Sequence, residues 1–230
     1  ERCSGNQIAK AGEHPIMGKK TILFLHGFTS SAKSEKANYL REQCKTLPGV
    51  EFFIFDFNPT PKDFEFLTIT GMINRVRQFL LDHPKDDVRL IASSLGGFIA
   101  LQYAEWFGGI TKMLLLAPVL FYHPWGTSKE EIALWKQQRV ADVAHQGFQQ
   151  ELPLRYTFHE DGLRYTSPIL PATQTTIIHG NKDQTIPIQH SRDYAAAHPD
   201  MVHLVETESD HRLTGRHNLI WEQTQSFLLT

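Results

Sequence analysis

Cysteine is scarce in this 230-residue chain: there are two, Cys3 and Cys44. Two thiols so far apart cannot build the disulfide framework of a small secreted domain, and the expected setting is a reducing compartment, the cytoplasm. An excess of one charge sign is missing as well, since 23 Lys and Arg face 25 Asp and Glu for a formal net charge of −2. Nothing in that balance favours nucleic acid or an anionic membrane surface as a partner. No apolar run comes near the roughly 20 residues that a bilayer-spanning helix needs. Neither a His-Glu-x-x-His nor a paired Cys-x-x-Cys occurs, so no metal is expected. No Gly-x-Gly-x-x-Gly fingerprint follows the first expected strand, which removes the ground for a dinucleotide, and no cofactor is expected.

What remains is the composition of a soluble globular protein, with 41% hydrophobic and 21% charged residues. The length fits one domain with a sizeable core. Residues 1–16 are polar, lack the apolar centre of a secretion signal, and read as a leader or expression-derived segment. Met17-Gly18-Lys19-Lys20 looks like a natural start, which sets the expected domain at 17–230.

Short apolar runs alternate with helical periodicity from there on. Strands are expected at 21–25, 50–57, 88–91, 112–117, 175–179 and 202–206, and helices at 34–47, 69–82, 95–106, 188–197 and 213–229. Alternation at this spacing requires crossover connections, hence a mainly parallel sheet of about six strands with helices on both faces. One stretch, about 119–173, is too long for a crossover before the fifth strand. It reads as an insertion with an amphipathic helix over 128–144, carrying Ile132, Trp135, Val140 and Val143, and a hairpin turning at Asp161-Gly162. An insertion on the carboxyl side of a parallel sheet stands where a lid would sit.

Ala92-Ser93-Ser94-Leu95-Gly96 falls between the third strand and its helix. Small residues two before and two after a serine, at a strand-to-helix turn, form the nucleophile-elbow pattern, in which the chain reverses tightly and lifts the hydroxyl clear of the sheet. Ser94 is the candidate nucleophile. A serine hydroxyl needs a base, and the base needs a carboxylate to fix its tautomer. Asp183 follows the fifth strand and His211 the sixth, so all three stand at carboxyl ends of parallel strands, which share one rim. Among twelve histidines, His26 and His179 precede glycines at strand ends and read as loop-shaping. His203 lies within a strand and His217 within a helix. Asp210 adjoins His211 too closely to orient its ring, and Asp200 reads as a turn residue.

With the elbow, the His26-Gly27-Phe28 opening and the Ser–Asp–His order in hand, the chain resembles an α/β-hydrolase. Within that superfamily it looks like the compact bacterial serine esterases with a Ser-Ser-Leu-Gly-Gly elbow, over roughly residues 20–229. The resemblance implies a three-layer α/β-hydrolase fold lacking the first two strands of the eight-stranded form. It also implies an oxyanion hole formed by the backbone N–H groups of Phe28 and Leu95. The expected activity is hydrolysis of a small-molecule carboxylic ester of short to medium acyl chain through an acyl-serine intermediate. Phe121, Tyr122, Trp125, Trp135 and Phe148 of the insertion are the expected pocket residues. Thioester, amide or carbon–carbon cleavage by the same three residues is the alternative within enzymes, and a ligand-binding protein on a hydrolase scaffold is the alternative outside them.

Overall fold

The computed structural model describes residues 19–83, 87–124 and 127–230; the segment 1–16, Met17, Gly18 and Trp125 lie outside the described residues. In chain order the elements are β1 (Lys20–Leu25), α1 (Glu35–Cys44), β2 (Val50–Phe55), α2 (Pro61–Glu65), α3 (Ile69–Asp82), β3 (Asp87–Ser93), α4 (Leu95–Phe107) and β4 (Ile110–Leu116). There follow α5 (Lys129–Gln138), β5 (Val140–His145), β6 (Gln150–Arg155), α6 (Thr157–Gly162), β7 (Gln174–Gly180), α7 (Gln189–Ala197), β8 (Val202–Thr207) and α8 (His217–Gln223), which runs into a π-helical turn at Thr224–Leu228.

Six strands form one sheet in the order β2-β1-β3-β4-β7-β8, and every neighbouring pair is parallel. Parallel strands joined by helical crossovers are covered on both faces, which is why their sequences read as unbroken apolar runs. In β1, Ile22 and Phe24 point into one layer and Leu23 and Leu25 into the other, and all four are fully buried. The first layer meets α1 and α8 through Leu40, Cys44 and Ile220. The second meets α3 and α4 through Ile73, Val76, Phe98 and Leu101. Burying a side chain of this size contributes about 1.5–3 kcal/mol, so the two layers hold the rim of the sheet in place.

Three local expectations fail, each for a physical reason. The expected helix over 128–144 begins with a capping box between Ser128 and Glu131 but stops at Gln138, because Arg139 turns left-handed at φ 65°. Val140–His145 then pairs antiparallel with Gln150–Arg155. The expected hairpin at Asp161-Gly162 is instead the end of α6. There Phe158, His159 and Gly162 form a buried helical face, and the Asp161 carboxylate accepts bonds from the Thr70 N–H and hydroxyl, both at 2.7 Å. The last helix begins at His217, not at 213, since Leu213 sits at φ 54°. A short helix unseen in the periodicity, α2, follows the Asn58-Pro59-Thr60-Pro61 punctuation, where Thr60 and Asp63 form a capping box with proline at the first turn.

Candidate active site

Ser94 occupies φ 53°, ψ −121°, between the last residue of β3 and the first of α4. A non-glycine residue at positive φ is strained by about 1–3 kcal/mol and persists only where its surroundings over-determine it. Here they do. The Ser94 N–H donates to the Leu116 carbonyl at 3.0 Å, and the Ser94 carbonyl accepts from Gly97 and Val119 at 2.9 and 3.0 Å. Gly96 lets α4 press against the end of β1: a Cβ there would stand 2.5 Å from the Leu25 carbonyl oxygen and 2.6 Å from that of His26. The small residue two positions after the serine is thus required by the close approach, not by its own dihedral angles.

The structure brings Ser94, His211 and Asp183 into one line. Ser94 Oγ lies 3.0 Å from His211 Nε2, and His211 Nδ1 lies 2.7 Å from Asp183 Oδ2. Facing a carboxylate, Nδ1 carries the hydrogen, and the Nε2 lone pair is left to accept the serine proton. The loops after β7 and β8 are knitted together to hold this line. The Lys182 N–H donates to the Ser209 carbonyl at 3.0 Å and the Asn181 N–H to the Thr207 carbonyl at 2.8 Å. On the far side of the His211 loop, Lys36 of α1 donates to the Arg212 carbonyl at 2.8 Å; burial is the main reason that its pKa falls to about 8. Asp210, the rival carboxylate, is engaged otherwise, accepting from the Thr214 N–H and hydroxyl at 3.0 and 2.9 Å.

The Asp183 side chain is fully buried, whereas that of His211 keeps 22% of its surface exposed. Burial of the carboxyl pushes its pKa up, but hydrogen bonds from His179, His211 and the Ile186 N–H outweigh that and hold it well below the ordinary carboxylate value. Its Oδ1 accepts from the Thr185 and Ile186 N–H groups, both at 2.8 Å. Its Oδ2 also faces His179 Nε2 at 3.1 Å. His179 has no exposed surface, and its other nitrogen lies 2.7 Å from the Ser191 hydroxyl. It therefore braces the carboxylate as well as shaping its own loop. The four-residue spacing from His179 to Asp183 past a strand end was the available signal.

A cavity of about 510 Å³ opens beside the serine, lined by Ser94, Phe28 and Leu95 at its base and largely by the insertion elsewhere. Of the expected pocket residues, Tyr122 and Trp135 line it. Phe121 and Phe148 do not: Phe121 sits against His190, ring centroids 4.8 Å apart, and Phe148 against His145 at 4.7 Å. Aromatic composition marks an insertion as sticky without saying which way each ring turns. Leu134, Val143, Leu154 and Phe158 supply apolar wall that composition did not single out, and Glu131 and Asp142 bring carboxylates to it. Phe28 stacks on Phe158 at 5.2 Å and 24°. Among the described residues, no group of three or more His, Cys, Asp or Glu is placed to hold a metal ion, and no helix is long and apolar enough to cross a membrane.

Comparison with known proteins agrees with this architecture. Over 208 residues the chain is 26% identical to the mouse (Mus musculus) palmitoyl-protein thioesterase ABHD10, mitochondrial, covering 84% of this chain and 69% of that protein. The solved structure of alpha/beta hydrolase domain-containing protein 10 from mouse superposes with a TM-score of 0.71 at 22% identity, over 91% of this chain and 90% of that one. Est1E from Butyrivibrio proteoclasticus, solved with ferulic acid bound, gives a TM-score of 0.72 at 16% identity, over 91% and 88%. At those identities the two structures establish the fold, which is that of the α/β-hydrolases. A family model spanning residues 21–228 covers nearly all of the sheet, the insertion and the rim, and by that match the chain belongs to the Uncharacterised protein family (UPF0227).

Proposed function

We propose that this hydrolase-fold chain is a serine hydrolase of carboxylic esters with short to medium acyl chains, working through an acyl-serine intermediate. The observation that carries the reading is the unbroken Ser94–His211–Asp183 line, with contacts of 3.0 and 2.7 Å. In the proposed reaction, Ser94 Oγ attacks the ester carbonyl as His211 Nε2 takes its proton. The buried Asp183 carboxylate stabilises the imidazolium. Backbone N–H groups of Phe28 and Leu95 take the negative oxygen of the tetrahedral intermediate; losing one such donor typically costs about 10²–10³ in rate. His211 then protonates the leaving alcohol, and a water activated by the same imidazole releases the acid. The apolar wall from Tyr122, Trp135 and Phe158 suits an uncharged acyl or alcohol group, and no nucleic acid or membrane is required as a partner. With Cys44 a free, buried thiol, a cytoplasmic setting remains the reading.

One observation favours a second substrate class. The mouse relative named above is a palmitoyl-protein thioesterase, and the same three residues would cleave a thioester by the same steps. A fluorophosphonate probe tests the shared chemistry: covalent labelling at Ser94, abolished in Ser94→Ala, is expected, and a well-folded protein that stays unlabelled sinks it. Turnover of p-nitrophenyl esters against acyl thioesters of matched chain length then separates the two, with higher kcat/KM on the oxygen esters expected.

A further inference from the structure

The insertion touches the body at a second place, away from the cavity. The turn between β5 and β6 rests on the Thr29–Ser31 loop, immediately after Phe28. The Gly147 N–H donates to the Thr29 carbonyl at 3.0 Å, and Thr29 itself is held at φ 55°. The fit is tight enough that a Cβ on Gly147 would stand 2.9 Å from both Cβ and Oγ of Ser31 and 3.0 Å from the Ser30 carbonyl carbon. Gly147 is not in the left-handed region, so it is the approach alone that requires glycine there.

His145, at the start of the turn, is 1% exposed and closes the contact from below. Its ring stands edge-on to Phe64 at 4.7 Å. Its Nε2 lies 3.0 Å from the Asn58 side-chain amide, which also reaches the Ser30 carbonyl at 3.4 Å. Its Nδ1 accepts from the Phe148 N–H at 3.2 Å, which fixes the turn on the ring. The loop bearing Phe28 is therefore gripped from outside the sheet by the hairpin turn, while Phe158 of α6 stacks on the Phe28 ring.

We propose that Gly147 and His145 are positioning residues for the oxyanion loop: the hairpin turn of the insertion sets where the Phe28 N–H points. The proposal rests on the ester-hydrolase reading for its kinetic consequence but not for its structural one. A displacement of about 1 Å in a group that must meet the transition state can cost about a hundredfold in rate, whereas ground-state binding in the cavity wall is left alone. An insertion that only covered the substrate would act on KM instead.

The test compares the parent with Gly147→Ala on a p-nitrophenyl ester and with a trifluoromethyl ketone, which forms a tetrahedral adduct at the serine. The expected result is a kcat lower by about tenfold or more, short of losing the donor outright, with KM changed less than about twofold and the ketone weakened by the same factor as kcat. Pairing Gly147→Ala with Ser31→Gly, which removes the two Ser31 atoms in collision and leaves only the Ser30 carbonyl carbon close, restores part of the loss. Hydrogen exchange at residues 28–31 rises in Gly147→Ala while β1 and β3 keep their protection. If that variant fails to fold, His145→Leu, which severs both the Asn58 contact and the bond from the Phe148 N–H, is read in the same way. An unchanged kcat, a change in KM alone, or unchanged exchange at 28–31 overturns the proposal. If the parent shows no ester turnover, it is the ester-hydrolase reading that has failed; the exchange experiment still decides whether the turn holds the loop.

Discussion

The sheet and the insertion solve the same burial problem in opposite ways. In β1, β3 and β4 nearly every residue is buried between two helical layers, so each strand is rigid before any ligand arrives. In the insertion, α5 buries none of its ten residues and β5 only His145, while β6 contributes just Leu152 and Leu154 to the core and α6 Phe158. Aromatic and hydrogen-bond contacts add to its order: Trp135 meets Tyr156 edge-on at 5.5 Å and donates Nε1–H to the Leu154 carbonyl at 2.8 Å. The body thus supplies groups that must not move, and the insertion supplies surface. Regions with few buried apolar contacts sit at the low end of local stability.

Breaking the body should abolish turnover while leaving binding. Ser94→Ala and His211→Ala should each lower kcat by about 10⁴–10⁶, and the double variant little further, because the two act as a unit; steady-state rates on a chromogenic ester decide, and additive losses would contradict a shared role. Asp183→Asn should cost about 10⁴, with the His211 loop still in place. Breaking the insertion should behave differently. Trp135→Ala is expected to raise KM by about tenfold with kcat little changed, since it removes apolar wall and no reacting group. A loss in kcat equal to that of Asp183→Asn would erase the distinction between the regions.

Acid offers the gentlest separation. His145 is driven below its ordinary pKa of 6.5 chiefly by burial, with His26 adding to the effect and Asp56 opposing it. His159 is lowered by burial too. Because the folded values lie below the unfolded one, the unfolded chain takes up protons first, and stability is whole above about pH 6.5 and falls as pH drops toward the folded values. Asp183 acts in the same direction but in a more acid window: its folded pKa lies below 3.8, so its contribution is complete above that value and is lost only as pH falls through the folded one. His190 of α7 is lowered as well, but it is only half-buried and weighs less. Between pH 6.5 and 4, hydrogen-exchange protection, measured relative to the intrinsic rate at each pH, should therefore fall at residues 145–159 while residues 179–186 remain protected. Equal loss in both windows would show that the insertion is no looser than the sheet.

The same contrast governs what the residues disclosed unaided. Strands such as Ile22 to Leu25 announce themselves because two-sided burial favours an unbroken apolar run. Ser94, Asp183 and His211 could be brought together from position alone, because parallel strands put all their carboxyl ends on one edge. In the insertion the signals mislead. Val140 and Val143 continue the helical spacing of Ile132 and Trp135, yet a left-handed Arg139 redirects the chain into a strand. Phe158, Leu163 and Tyr165 straddle Asp161-Gly162 as a hairpin would, yet Phe158 lies in α6, which ends at Gly162, and the Thr70 contact to Asp161 ties down that end before Leu163 and Tyr165. The bracing of Asp183 by His179 left a four-residue spacing as its one local signal, whereas the grip of Gly147 on Ser31 joins elements far apart in sequence and leaves no local periodicity behind.

The dihedral angles of Ser94 carry a last consequence. Glycine would relax the about 1–3 kcal/mol held there, whereas alanine, with a Cβ of its own, would not. A Ser94→Gly chain should consequently melt at a higher temperature than Ser94→Ala, although both lack the hydroxyl. Selection for heat resistance alone would thus favour glycine over the serine hydroxyl, so retention of Ser94 in a hardened descendant would indicate that the proposed chemistry was under selection.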